Sequence, residues 1–419
     1  MAGRLLGRRR MSRPVLVSVL AMISCVDPKE PSGPQVTSHV VRHEIPFATQ
    51  PTLDLLFIVD SSPAMAPHRA ALLDNAARFM AVLEASPGGL PDLHLGIATT
   101  DVGTRGAEDL GSRALGDCSA DGDAGVMLAA RTVAGNVLTD ARLADGTRQR
   151  NYTGTLAEAF TASIALAGAT GCSFPRPLEA MRRALESPRN AGFRREHAYL
   201  GVVFLTSQDD CSFARSTFLD GADPFSCISD AGALVSIESY AGFLKSLVDD
   251  PARIVVAGAF GPSTPFVVDP ALRTVEPSCT IDQRSAKPGA RLQAFLDQFP
   301  NRSSFTSLCQ SDLSEALEVF AQLVKVALGV PCFEVPIPDA DLATPGDQFD
   351  CAASLRHEFT DHTDESVLPE CTSGSAGTCW RIDTDQRFCP FGTGQLVRFD
   401  HAFSVSSRGS RAIIECVVQ

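Results

Sequence analysis

Three apolar runs of this chain lead into carboxylates. The stretch 53–60 ends in Asp60, 93–99 is followed by Asp101, and 199–206 is followed by the Asp209-Asp210 pair. In an open parallel sheet, ligands bind beyond the carboxyl ends of the strands. If the first run is the central strand and the other two lie beside it, these acids converge on one rim. Like charges so placed repel, so either water separates them or a hard cation, Mg²⁺ or Ca²⁺, bridges them. The stretch Asp60-Ser61-Ser62-Pro63-Ala64-Met65 adds a hydroxyl at Ser62, two residues past the first acid and able to face the same point. The plainer reading is structural. Ser62 before Pro63 can cap a turn, Asp101 can cap the next segment, and Asp209-Asp210 can be a loop tip held by Cys211.

Signatures of enzymes are missing. His357-Glu358-Phe-Thr-Asp361-His362 looks like a zinc-protease motif until counted, because its histidines are five apart. On a helix they would lie about 140° from each other and could not share a metal, so a solvated acidic loop is the better reading. There is no Gly-x-Ser-x-Gly elbow, no phosphate-cradling Gly-x-x-x-x-Gly-Lys and no dinucleotide fingerprint. A scattered Ser–His–acid set is not excluded by sequence, but nothing points to one. The expectation is a protein that is not an enzyme.

The elements that must position these acids follow from apolar spacing. The run 53–60 (LDLLFIVD) is continuous, as a parallel strand buried on both faces should be. Met65, Leu72, Leu73, Ala76, Phe79, Met80 and Leu83 then repeat at helical spacing, with Pro67 opening the regular part. Further strands are expected at 93–99, 199–206, 253–260 and 304–308, and helices at 155–167, 176–187, 236–248 and 290–298. A last helix has Asp312 and Glu315 as a capping box and Leu313, Leu317, Phe320, Val324 and Ala327 as its stripe. The segment 102–152 is long and polar, and Asp121-Gly-Asp123 within it reads as a turn. Strand–helix alternation implies an α/β fold with a doubly wound, mostly parallel sheet. Past Pro331 the composition shifts, with six cysteines, the single Trp and no helical stripe. This reads as a small disulfide-rich β module in which 396–405 and 412–418 form a hairpin.

The compartment is legible at the N-terminus. Arg4, Arg8, Arg9, Arg10 and Arg13 precede a short apolar run, 15–23, and then Ser24 and Cys25. The run fits a signal peptide, from either Met1 or Met11, and is too short to span a bilayer. Met22-Ile23-Ser24-Cys25 resembles a bacterial lipobox, which makes Cys25 the lipidated first residue of the mature chain. A plain secretory signal is the alternative. Setting Cys25 aside, the thirteen cysteines leave twelve, with no Cys-x-x-Cys. In an exported chain this reads as structural disulfides. Short loops suggest Cys211–Cys227 and Cys279–Cys309, with Cys118–Cys172 a further candidate. The expected organisation is a signal peptide at 1–24, a lipidated N-terminus and tether at 25–50, the α/β domain at 51–330 and the cysteine-rich module at 331–419. A net charge of −13 argues against nucleic acid as a partner.

On these residues, the stretch 51–329 resembles the von Willebrand factor type A family, and within it the cysteine-rich, lipobox-bearing members of Gram-negative bacteria. The family's first strand ends in Asp-x-Ser-x-Ser, the start of a metal-ion-dependent adhesion site. Asp60 and Ser62 match, and Ala64 stands where the second Ser is expected. The resemblance implies Thr170 as the later Thr ligand and places Ser207 where the family has its last Asp, with Asp209 and Asp210 close behind. It implies a lipid-anchored envelope protein, at the outer membrane or cell surface, that binds a protein or surface ligand with or without Mg²⁺ or Ca²⁺. The rival readings are an envelope assembly component with an inert rim and a secreted hydrolase.

Overall fold

The computed structural model describes residues 39–46, 52–84, 90–109, 111–112, 115–143, 147–196, 198–223, 225–249, 251–300, 302–310, 319–320, 324, 333, 335–344, 346–358, 362–372, 377–384, 394–400 and 411–418. The signal segment, Cys25, Cys332 and Cys389 lie outside them. So does most of the expected last helix, of which Phe320 and Val324 are described and buried.

β1 is His39–Pro46, β2 Thr52–Val59, α1 Arg69–Glu84, β3 Asp92–Thr99, β4 Leu138–Arg142, β5 Arg148–Arg150, α2 Leu156–Ile164, α3 Pro177–Glu186 and β6 Tyr199–Leu205. There follow α4 Ser226–Ser229, α5 Ile237–Ser246, β7 Ile254–Phe260, β8 Val268–Asp269, β9 Thr274–Val275, β10 Cys279–Ile281, β11 Arg284–Ala286, α6 Ala290–Leu296 and β12 Ser303–Ser307. The last strands are β13 Cys351–Glu358, β14 Thr363–Leu368, β15 Cys379–Thr384, β16 Gln395–Asp400 and β17 Arg411–Val418.

The main sheet has seven strands in the order β12-β7-β6-β2-β3-β4-β5. The five from β12 to β3 are parallel. This is the doubly wound α/β arrangement, with β2 in the middle and the chain leaving it in both directions. Strands covered on both faces must be apolar throughout, and every residue of β6 and β7 is buried. The period of two sorts β2 cleanly. Leu53, Leu55, Phe57 and Val59 meet α1 and α2, whereas Leu56 and Ile58 meet α3, α5 and α6. Phe57 sets the first layer, with ring centroids 5.4 Å from Phe79 and 4.9 Å from Phe160. α2 is closed by a capping box in which Thr155 and Glu158 bond each other's backbone N–H.

Three expectations need correction. The stretch 102–152 is not only loop, because β4 pairs antiparallel with β3, and β5 with β4, extending the sheet. At five and three residues these strands are too short to show a period. His39–Pro46, placed in the tether, is a strand paired along all its length with β17. The described part of the expected hairpin, 396–400 and 412–418, does not pair with itself: β16 pairs with β15, and β17 lies between β1 and β13. His357 and Glu358 end β13 and His362 immediately precedes β14, while the rest of the motif expected to be a loop lies outside the described residues.

The second sheet, β1-β17-β13-β14, buries Ile45, Leu355, Ile414 and Val418 with Trp380. Among the described residues five disulfides are closed: Cys118–Cys172, Cys211–Cys227, Cys279–Cys309, Cys351–Cys416 and Cys371–Cys379. Cys351–Cys416 joins directly opposed residues of β13 and β17. No helix among the described residues is long and apolar enough to cross a membrane.

Phe79 is fully buried and touches Phe57, Phe160 and Phe320. Phe79→Ala is expected to lower the free energy of unfolding by about 3–5 kcal/mol in urea titration. A loss below about 1 kcal/mol would mean that this layer does not carry the core.

Candidate functional site

The last rungs of three parallel strands assemble the rim. The Asp60 N–H donates to Leu205 O (2.8 Å), the Thr100 N–H to Val59 O (3.0 Å) and the Thr206 N–H to Ala259 O (3.1 Å). Asp60, Thr100 and Thr206 therefore emerge side by side, on either side of the point where the strand order reverses. Asp60 is fully buried. Its Oδ1 accepts from the Ser62 N–H (2.8 Å) and, at longer range, from Thr100 Oγ1 (3.5 Å). Its Oδ2 accepts from Thr206 Oγ1 (3.0 Å), the Ser207 N–H (3.2 Å) and Ser207 Oγ (3.1 Å). A bare carboxylate at this depth would be costly, and these five donors are what let it stay.

Loops from the same end lock this centre. Gln208 donates from Nε2 to Ser62 Oγ at 3.2 Å. The Gly171 N–H donates to Ser61 O at 2.7 Å. A Cβ at position 171 would lie 2.4 Å from Ser61 Oγ, so any larger residue there would have to push the Ser61 hydroxyl aside. Buried His68, at the end of the 3-10 turn Pro63–His68, places Nε2 3.0 Å from Ser285 O. Burial pushes the His68 pKa down. Two buried atoms here, Ser61 Oγ and His68 Nδ1, have no hydrogen-bond partner.

Of the residues expected at the site, Asp60, Ser62 and Ser207 meet. Thr170 is exposed on the loop that touches Ser61, and it makes no hydrogen bond to Asp60. The other three acids do not join. Asp101 turns into its own loop: Oδ1 accepts from the Gly103 N–H (3.0 Å) and Oδ2 from the Cys172 N–H (3.1 Å). Burial pushes its pKa up. Asp209 caps α6 from outside, accepting from the Arg291 N–H (2.9 Å) and the Leu292 N–H (3.2 Å). Burial, partly offset by those N–H groups, pushes its pKa up to about 6. Asp210 caps α3 through the Leu178 N–H (3.0 Å), accepts from Ser212 Oγ (2.6 Å) and pairs with Arg291 (3.2 Å). These are cap and turn roles, which a carboxylate at a strand end fills as readily as a ligand role. Among the described residues no three His, Cys, Asp or Glu side chains come together as a metal cluster.

Sequence reasoning missed Thr100, Thr206 and Gln208. The first two could have been found as the residues ending the apolar runs, since neighbouring parallel strands end level with one another. It also missed a buried polar platform beneath the rim. Arg176 lies 3.9 Å over the Phe213 ring and donates to the carbonyls of Arg105 (2.5 Å) and Phe213 (3.3 Å). Burial pushes its pKa down to about 10. Glu179 accepts from Arg182, Arg183 and Tyr240 Oη. Salt bridges and carbonyl contacts thus hold the loops that carry the rim.

No family model matches the chain, and no curated protein matches it. Among solved structures it is similar to proximal thread matrix protein 1 from the mussel byssus, at a TM-score of 0.31 and 11% identity, over 66% of this chain and 49% of that one. A structure of the same mussel protein with a zinc-occupied MIDAS motif gives 0.31 and 12%, over 68% and 48%. The conserved hypothetical protein BatB from Bacteroides thetaiotaomicron gives 0.28 and 9%, over 66% of this chain and 98% of that one. The chain spans about half the length of the mussel protein. Likeness at this level carries no argument about family or ligand. The α/β fold rests on the sheet order itself.

Asp210→Ala removes the α3 cap and leaves the Arg291 guanidinium without its acid. The expected cost is about 3–5 kcal/mol of unfolding free energy, with any cation affinity of the rim unchanged. A variant that keeps its stability but loses cation binding would make Asp210 a ligand.

Proposed function

We propose that this chain is an exported, lipid-anchored envelope protein of the von Willebrand factor type A kind, and that it binds a protein or surface ligand at the carboxyl-end rim of its main sheet. The observation that supports this best is the gathering of five donors from three strand ends on the single carboxylate of Asp60. Such a centre sits where open α/β sheets bind ligands. Asp60, Ser62 and Ser207 are buried, so a partner meets the exposed residues around them, Pro63, Ala64 and Thr170, and not the carboxylate itself.

The donor set suits an oxygen-seeking cation. One carboxylate is ringed by neutral hydroxyls that donate to it and keep lone pairs for a metal, and Ser61 Oγ is a buried oxygen without a partner. Asp60, Ser62 and Ser207 are the residues that would hold Mg²⁺ or Ca²⁺, which would supply positive charge to an acceptor on the partner. With Asp101, Asp209 and Asp210 committed elsewhere, the site has one negative charge and binds weakly. Five disulfides support export, and the Cys25 lipobox supports the anchor and an outer-membrane or surface location. The second reading, an assembly component with an inert rim, is favoured by the same saturation of Asp60 if no cation binds.

Calorimetric titration with Mg²⁺, Ca²⁺ and Mn²⁺ separates the two. Wild type should bind weakly, and Ser62→Ala should bind more weakly still while keeping its fold, because the Ser62 contact with Asp60 uses the backbone N–H. The Ala64→Ser, Ser207→Asp double variant should tighten binding and become cation-stabilised, since it sets a second carboxylate beside Asp60. No heat in wild type at millimolar cation would leave the inert rim.

A further inference from the structure

Beside the Asp60 centre, and adjoining it through Gln208 and Lys287, lies a cavity of about 320 Å³. That volume is at the lower end of small-molecule sites. One wall is apolar, made by Phe225, Ile228, Val275 and Pro288, with the Cys211–Cys227 disulfide fixing α4 against the loop after β6. Three of the five charged groups lining the cavity have an ionic partner. Asp210 has Arg291, and Asp223 pairs with Arg273 at 2.7 Å on the exposed side.

Asp209 and Lys287 remain. Both line the cavity, and neither has an ionic partner among the described residues. Asp209 is held by backbone N–H groups alone, and its Oδ2 takes only the Arg291 N–H, which leaves an acceptor site on that oxygen. The Lys287 ammonium donates to the Val275 carbonyl and has two further N–H bonds to give. An anion and a cation without ionic partners, both on residues that line a single cavity with an apolar wall, are complementary to a molecule that carries both charges and a hydrocarbon group.

We propose that this cavity binds a small zwitterion of the α-amino acid class with an apolar side chain, its ammonium on Asp209, its carboxylate on Lys287 and its side chain against Phe225, Ile228 and Val275. A ligand with only one of the two charges would leave the other protein charge unmatched in a partly dry site, and should bind at least about tenfold more weakly.

Titration calorimetry of the mature protein with L-leucine, 3-methylbutylamine and 4-methylpentanoate tests this. The expected result is binding of L-leucine, with both single-charge analogues at least about tenfold weaker. Lys287→Met should weaken L-leucine about tenfold or more and leave 3-methylbutylamine unchanged, a readout that a general loss of structure would not give. Because Asp209 also caps α6, Asp209→Asn is read only alongside a thermal melt. Absence of L-leucine binding at millimolar concentration, equal binding of the amine, or an unaltered Lys287→Met variant would each overturn the proposal.

Discussion

Everything at the rim depends on keeping one carboxylate, that of Asp60, buried and hydrogen-bonded at the end of the central strand. Its donors come from the turn after β2, from the end of β3 and from the end of β6. These segments are separated by tens of residues, and the parallel ladder alone brings them level. Ser62 and Ser207 reach the same carboxylate because β2 pairs with β6, Thr100 joins them because β3 lies on the other edge of β2, and helices cover both faces of β2. The core and the site are thus one problem. Layers that bury Leu53, Phe57 and Leu56 also set the register of the hydroxyls.

The surrounding loops are held by means other than apolar packing. Asp209 and Asp210 are spent on the N-termini of α6 and α3, which fixes the chain after β6 to two helices at once. Asp101 accepts from the Cys172 N–H, and the Cys118–Cys172 disulfide closes the same region. The hairpin β10–β11 reaches the centre through Ser285 O at His68 and the Lys287 N–H at Ser207 O, and Cys279–Cys309 staples its base. Caps of this kind are worth about 1 kcal/mol each, so their value lies in placement as much as in stability.

The sheet's centre was legible because burial on both faces demands unbroken apolar runs, and β2, β6 and β7 have them. The α1 stripe was legible for the same reason at helical period. β4 and β5 were not, since Asp140 and the arginines around it break the apolar signal, and that carboxylate is neutralised only in space by Arg148 and Arg150. β1 was hidden because Ile45 is its one fully buried residue among those whose burial is described, too little for an apolar period, and its partner lies at the other end of the chain. Within the site, Asp60 and Ser62 were found by local spacing, whereas the fate of Asp101, Asp209 and Asp210 depended on which backbone N–H groups lay nearby. Sequence gives the charge of a residue and its distance along the chain, but not the helix terminus that will claim it.

A crystal of the mature protein soaked in millimolar Mn²⁺, with anomalous scattering measured at the manganese edge, tests the central claim most directly. The account predicts one peak at the carboxyl-end rim, within coordination distance of the Ser62 and Ser207 hydroxyls beside Asp60. Density at Asp209 and Asp210 instead, or no density at the rim in a crystal whose loops are free to accept the ion, would contradict it.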